Sequence, residues 1–169
     1  VLTNDDKLAA TLRVVRHQGQ TSEYEHGRLG ANFRMSAIQA VALRAKLPHL
    51  ASWNEGRCRH AARYDAALAG NCVVTPHRDP NCGHIYHQYT IRSPNREALR
   101  ARLAEAGIGA KIFYPIPLHL QPVYRNLGYR AGDFPVAEKA AKEVLSLPVF
   151  PEMTVQQQDY VIETIQQAK

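Results

Sequence analysis

The sequence predicts an α/β fold, a small sheet with helices packed on it. Three observations predict it. From residue 84 onward the patterns alternate as strand, helix, strand, helix, short strand, helix, the grammar of an α/β unit. The 169 residues are 45% hydrophobic and 21% charged, a globular balance with enough apolar mass for a core. There is also no internal repeat, no low-complexity linker and no apolar run of about 18 residues that would span a membrane.

The elements follow in order. "TNDDKLAATLRVVRHQG" predicts a helix capped at Thr3 or Asn4, with Asp5 and Asp6 at its positive end and Gly19 at its stop. Leu8, Leu12 and Val15 make one apolar stripe. The stretch from Gln20 to Met35 has no apolar period and is expected as a loop. Ser36 and Gln39 form a capping box that starts a second helix, with Ile38, Val41, Ala42 and Ala45 on its expected core face. Pro48 ends or kinks it, and a further helical stretch runs from about His49 to Leu68 before Gly70, so that the pair forms one long bent rod. "HIYHQYTIR" is β-branched and aromatic and predicts a strand. "SPNREALRARLAEAG" predicts a helix with Ser93 or Asn95 near its cap and Gly107 past its end. "IGAKIFYPIPLH" predicts a short strand broken by Pro115 and Pro117. "FPVAEKAAKEVLSLP" predicts a helix and then a short extended piece, and "TVQQQDYVIETIQQ" a final helix capped by Thr154.

A net charge of +6 raises anionic partners. The basic residues are scattered among acidic ones, however, without a Lys/Arg run or a basic-aromatic stripe, which argues against a nucleic-acid module. Cys58, Cys72 and Cys82 are odd in number and irregular in spacing, so reduced thiols are expected. No charged-then-apolar leader opens the chain, which points to the cytoplasm. The chain starts at Val1 on residues that resemble a strand end entering a helix, so a segment upstream is expected.

Several residue groups are candidate sites. Cys82, His84 and His87 have metal-ligand chemistry, but on a strand His84 and His87 point to opposite faces, so no metal is expected. Cys58 lies among Arg57, Arg59 and His60 on a helix, where a surface of mixed charge is the simpler meaning than a nucleophile. The 20–35 loop is richer. Gly27 and Gly30 permit close backbone approach, Asn32 and Arg34 can bind an anion, and Tyr24 and His26 can stack or donate. In "YPIPLHLQPVY" the prolines fix a shape that places His119 and Gln121 after a strand, as either a rigid turn or a ligand-facing group.

Taken together, "TND" at 3–5, "HQG" at 17–19, "YEH" at 24–26, "GANFRM" at 30–35, "YPIPLHLQ" at 114–121, "FPVAE" at 134–138 and "LSLP" at 145–148 resemble the C-terminal half of the DegT/StrS family of nucleotide-sugar aminotransferases. These are fold type I enzymes that use pyridoxal 5′-phosphate (PLP). The resemblance covers essentially the whole chain. It implies an α/β chain made of the helical end of the large PLP-binding domain (1–50, with loop 20–35 and the start of the long bent helix) and the small C-terminal domain (51–169), a small sheet flanked by helices.

The resemblance further implies a cytoplasmic homodimer with shared active sites. The intact enzyme would aminate a nucleotide-linked keto-sugar, with a lean to 3-keto sugars, using glutamate, for surface polysaccharide or deoxyaminosugar biosynthesis. Asn32 would bind the phosphate of the partner subunit's PLP, with Arg34 beside it. Tyr24, His26, Tyr114 and His119 would meet the substrate. The lysine that holds PLP covalently is expected upstream of Val1, so no catalytic residue is expected in this chain and the chain alone would be inactive. A PLP-dependent sugar dehydratase of the same family and a non-catalytic dimerising module are the alternatives, and a basic nucleic-acid binder comes last. No membrane partner is implied.

Overall fold

The computed structural model describes residues 1–168; Lys169 lies outside the described residues. The chain divides into two compact units, Val1–Pro48 and the remainder from His49 on.

The first unit opens with α1 (Asp6–Val15). Its cap is Asp5, not Thr3 or Asn4: the Asp5 carboxylate accepts the N–H groups of Lys7 and Leu8, while the Thr3 hydroxyl accepts the Asp5 N–H. The carboxylate therefore meets the orphan donors one residue later than expected. The stretch expected as a plain loop contains an antiparallel hairpin, β1 (Gln20–Ser22) and β2 (Glu25–His26). Strands this short are invisible to periodicity. The capping box of Ser36 and Gln39 starts α2 (Ala37–Lys46) as expected. The face expected to be core is not buried: Ile38 is 85% and Val41 68% exposed, and neither α1 nor α2 contains a buried residue.

In the second unit, after a 3-10 turn at Leu47–His49, α3 (Leu50–Leu68) carries Ala61, Tyr64 and Leu68 into the core. The sheet is β3 (Tyr89–Arg92) against β4 (Val144–Leu147), antiparallel, with Tyr89 opposite Leu147 and Ile91 opposite Leu145. Single bridges add Val74 beside Arg92 and Lys111 beside Ser146. α4 (Arg96–Glu105), α5 (Pro135–Glu143) and α6 (Val155–Gln166) complete the unit, and α6 packs on α3 and α4. The cap of α6 is a full box of Thr154 with Gln157. Core residues Tyr64, Tyr89, Ile91, Leu103, Leu145 and Ile165 are fully buried. The Tyr89 hydroxyl donates to Asp65 at 2.6 Å and the Tyr64 hydroxyl to the Pro148 carbonyl at 3.0 Å. Burial, and for Tyr89 also the Asp65 contact, pushes both phenols up.

Two strand expectations shrink. His84–Gln88 is not extended, because Tyr86 adopts a positive φ of 48° and donates its N–H to His84 Nδ1 at 2.9 Å, a local bond that replaces a ladder bond. The 108–119 strand reduces to the Lys111 bridge, bounded by the left-handed turn at Gly107 and by two prolines that lack donors.

Candidate functional site

Each unit carries one of the two stretches singled out from the sequence. In the first, Gln18 and Gly19 take positive φ values of 60° and 75° and reverse the chain after α1. Residues 31–33 then run back along its end: Gln18 N–H donates to the Ala31 carbonyl, Ala31 N–H to Val15 and Phe33 N–H to Arg16, and His17 bridges Asn32. Gly30 makes this possible. A Cβ there would sit 2.3 Å from the Gly19 nitrogen and 2.6 Å from the Val15 carbonyl oxygen. The close approach expected of Gly27 and Gly30 is thus made to the chain itself, Gly27 lying against the Thr21 side chain.

This frame brings Asn32 and Arg34 together. Arg34 Nε donates to Asn32 Oδ1 at 3.1 Å, and the Arg34 N–H approaches the same oxygen at 3.4 Å. Arginine has only donors, so the amide oxygen must face it. The Asn32 NH2 is left without a protein acceptor among the described residues, and Arg34 without a carboxylate. An outward amide donor beside an unpaired guanidinium is the donor set that suits a phosphate. Tyr24 stands at the hairpin tip, φ 61° and 87% exposed. His26 Nδ1 donates to the Gln18 carbonyl at 3.0 Å, which in the neutral ring leaves Nε2 as an acceptor.

In the second unit, Phe113, Tyr114, Ile116, Leu118, His119 and Phe134 line an open apolar cavity of about 630 Å3. The Pro115 and Pro117 segment leads into a 3-10 turn, Leu118–Leu120, that presents His119. Tyr114 is exposed, whereas the His119 side chain is only 8% exposed. Its Nε2 meets Glu138 Oε1 at 3.0 Å and its ring packs on Phe134 with centroids 4.8 Å apart. The ring is thus more buried than a free ligand contact would be, yet only one nitrogen is held by protein. Glu138 was missed as a functional residue. Its only signal was its place in "FPVAE", four residues past Phe134 in the first turn of α5.

The remaining candidates separate. Among the described residues no cluster of three or more His, Cys, Asp or Glu could hold a metal. Cys58 Sγ donates to the His84 carbonyl, and all three cysteines are free thiols. No helix among the described residues is long and apolar enough to cross a membrane.

Residues 1–166 match the DegT/DnrJ/EryC1/StrS aminotransferase family. A "Pleiotropic regulatory protein" of Geobacillus stearothermophilus is 51% identical over 168 residues, covering 98% of this chain and 45% of that protein. The UDP-N-acetyl-3-dehydro-alpha-D-glucosamine 3-aminotransferase of Acidithiobacillus ferrooxidans is 41% identical over 157 residues, 93% of this chain and 42% of its own. The crystal structure of S. venezuelae DesV in complex with a ketimine intermediate superposes with a TM-score of 0.93 at 37% identity, covering 99% of this chain and 46% of that one. The chain spans less than half the length of these relatives.

Proposed function

The chain belongs to the DegT/DnrJ/EryC1/StrS aminotransferase family, and from that premise we propose that it is the C-terminal part of a PLP-dependent enzyme that aminates a nucleotide-linked keto-sugar. The observation that carries the proposal is the Asn32–Arg34 pair. The amide and guanidinium are fixed against each other, exposed and unclaimed by any other described residue, so they fit a phosphate dianion of the cofactor.

In this reading Asn32 holds the phosphate of the PLP bound to the partner subunit, and Arg34 orients the Asn32 amide while adding positive charge. The exposed apolar face of α2, with Leu29 (98% exposed) and Phe33 (69%) nearby in sequence, supports a homodimer. PLP, when bound, supplies the electron sink for amino transfer, and the lysine that holds it covalently belongs to the part of the enzyme outside this chain. Tyr24 and His26 flank the nucleotide-sugar. Tyr114 and His119 contact the sugar, His119 by hydrogen bonding at the polar rim of an apolar cavity. The substrate is a 3-keto sugar and the amino donor glutamate; the 3-aminotransferase among the relatives supports the position. The reaction belongs to a cytoplasmic route to surface polysaccharide or deoxyaminosugars. The five described lysines are all exposed, which supports inactivity of the chain by itself.

The test is amino transfer by the full-length enzyme. Supplied with PLP, glutamate and a nucleotide-linked 3-keto sugar, it should yield the 3-amino sugar and 2-oxoglutarate. Loss of water from the sugar without consumption of glutamate would instead establish the dehydratase reading. The 169-residue chain alone should do neither, and borohydride with PLP should label none of its lysines stoichiometrically.

A further inference from the structure

One carboxylate oxygen in the second unit serves three groups. Glu138 Oε1 meets His119 Nε2 at 3.0 Å, accepts the Gly132 N–H at 2.7 Å, and lies 3.4 Å from the Phe134 N–H. The Glu138 side chain is only 16% exposed. Phe134 in turn covers the His119 ring and is braced edge-on by Tyr129, centroids 5.2 Å apart at 70°. The imidazole is therefore held at an edge by Glu138 and on its face by a ring whose backbone approaches the same oxygen.

An ionised carboxylate only accepts, so Nε2 must carry a hydrogen. In a neutral imidazole the other nitrogen is then an acceptor. No described protein group donates to Nδ1, and the ring lines the cavity. We propose that Glu138 is a positioning residue for His119. It locks the ring's orientation and its Nε2–H tautomer, so that Nδ1 is kept as an acceptor for a hydroxyl group of the bound sugar. This rests on the reading of His119 as a sugar contact given above and adds a specificity rule to it. A hydroxyl or amine hydrogen satisfies Nδ1, whereas a keto or phosphate oxygen offers it nothing. The Gly132 N–H first, and then the His119 ring and the Phe134 N–H, hold the Glu138 carboxyl below the usual carboxylate range, which keeps it an acceptor at neutral pH.

The experiment compares wild type, Glu138→Gln, Glu138→Ala and His119→Ala in the full-length enzyme, with nitrogen-15-labelled histidine and nucleotide-sugar kinetics. At about pH 9, well above the ordinary imidazole value, wild-type His119 should show a protonated Nε2 and a bare Nδ1. Glu138→Gln retains an oxygen for the two backbone donors, so the fold is kept, but its amide can also donate. The ring should then populate both tautomers, and KM for the nucleotide-sugar should rise about three- to tenfold with kcat little changed, the effect of one weakened hydrogen bond. Glu138→Ala should lower the melting temperature as well. A His119 ring that keeps a single Nε2–H tautomer in both Glu138 variants overturns the proposal, as does an Nδ1–H tautomer in the wild type. A tautomer that shifts in Glu138→Gln while His119→Ala leaves KM untouched supports the positioning by Glu138 and overturns the sugar contact on which its purpose rests.

Discussion

Replacing Asn32 separates a ligand role from a structural one, because two substitutions there act in opposite directions. Asn32 Oδ1 is engaged by Arg34 at 3.1 Å, so only the NH2 end faces outward. Asn32→Ala removes that donor. Losing one hydrogen bond to a charged group costs about 1.5–3 kcal/mol, or roughly 10- to 150-fold in PLP affinity. Asn32→Asp keeps an oxygen for Arg34 but turns the outward donor into a negative charge. At about 4 Å in water-like surroundings each charge pair adds about 1 kcal/mol of repulsion, about 2 kcal/mol against a dianion. The aspartate variant should therefore bind PLP most weakly, by about 3.5–5 kcal/mol in all. Without PLP the order reverses: the new carboxylate forms a surface ion pair with Arg34 that contributes about 0–1 kcal/mol, so the aspartate variant should melt at or slightly above wild type. Equilibrium dialysis of PLP from the full-length enzyme, with melting curves of the cofactor-free protein, reads both quantities. Wild-type PLP retention in Asn32→Asp refutes the reasoning, and so does a loss of retention that merely follows a loss of stability in both variants.

Gln158 is fully buried on α6; its Oε1 accepts from His60 Nδ1 at 2.9 Å and its Nε2 donates to the His60 carbonyl at 2.7 Å. Gln158→Leu leaves both partners unpaired at about 1–2 kcal/mol each, since half-buried His60 reaches some water, and should lower the melting temperature by about 4–16 °C; a drop under about 3 °C contradicts it. Gly30→Ala places its Cβ 2.3 Å from the Gly19 nitrogen, a backbone clash that must displace the 30–34 segment, so hydrogen exchange at the Ala31 and Phe33 amides should accelerate and PLP retention fall with it. Because the Glu138 carboxyl titrates below its ordinary value in the folded protein, its contribution is present above about pH 4.3 and lost as pH falls through the depressed folded value. The Gly132 amide should lose protection in that acid range in the wild type and show no such step in Glu138→Gln.

What was legible in the sequence is what neighbouring residues decide. The two capping boxes, Ser36 with Gln39 and Thr154 with Gln157, satisfy their own helix ends within four residues, so they could be found without knowing what the helices touch. Gly107 marked a real left-handed turn for the same reason, and the two prolines of "YPIP" marked the limit of the Lys111 pairing. The strand expected across His84–Gln88 failed on a local competitor that propensity does not count, a histidine side chain accepting the Tyr86 N–H two residues on. The face of α2 shows the opposite limit. Ile38 and Val41 recur with helical period, and that period is identical whether the face meets the chain's own core or the surface of another molecule. Only the fold shows that no described residue of this chain buries it.

The candidate sites divide along the same line. Asn32 and Arg34 are two residues apart, and their chemistry alone made them candidates to meet an anion. Which end of the amide remains free depends on the turn at Gln18 and Gly19, which lays residues 31–33 along the end of α1. His119 and Glu138 lie 19 positions apart, and nothing at either position announces the other. Read alone, His119 is a ligand-facing group or part of a rigid, proline-bounded turn, and Glu138 is an acidic residue in the first turn of a helix, where it favours the helix dipole. Their pairing arises when the 118–120 turn and the 130–134 loop converge on one carboxylate oxygen. It changes the meaning of His119 from a freely exposed imidazole to one whose tautomer its surroundings choose. The chemistry that a ligand would meet there, a single acceptor nitrogen beside an apolar wall, is thus a property of the fold and not of the histidine.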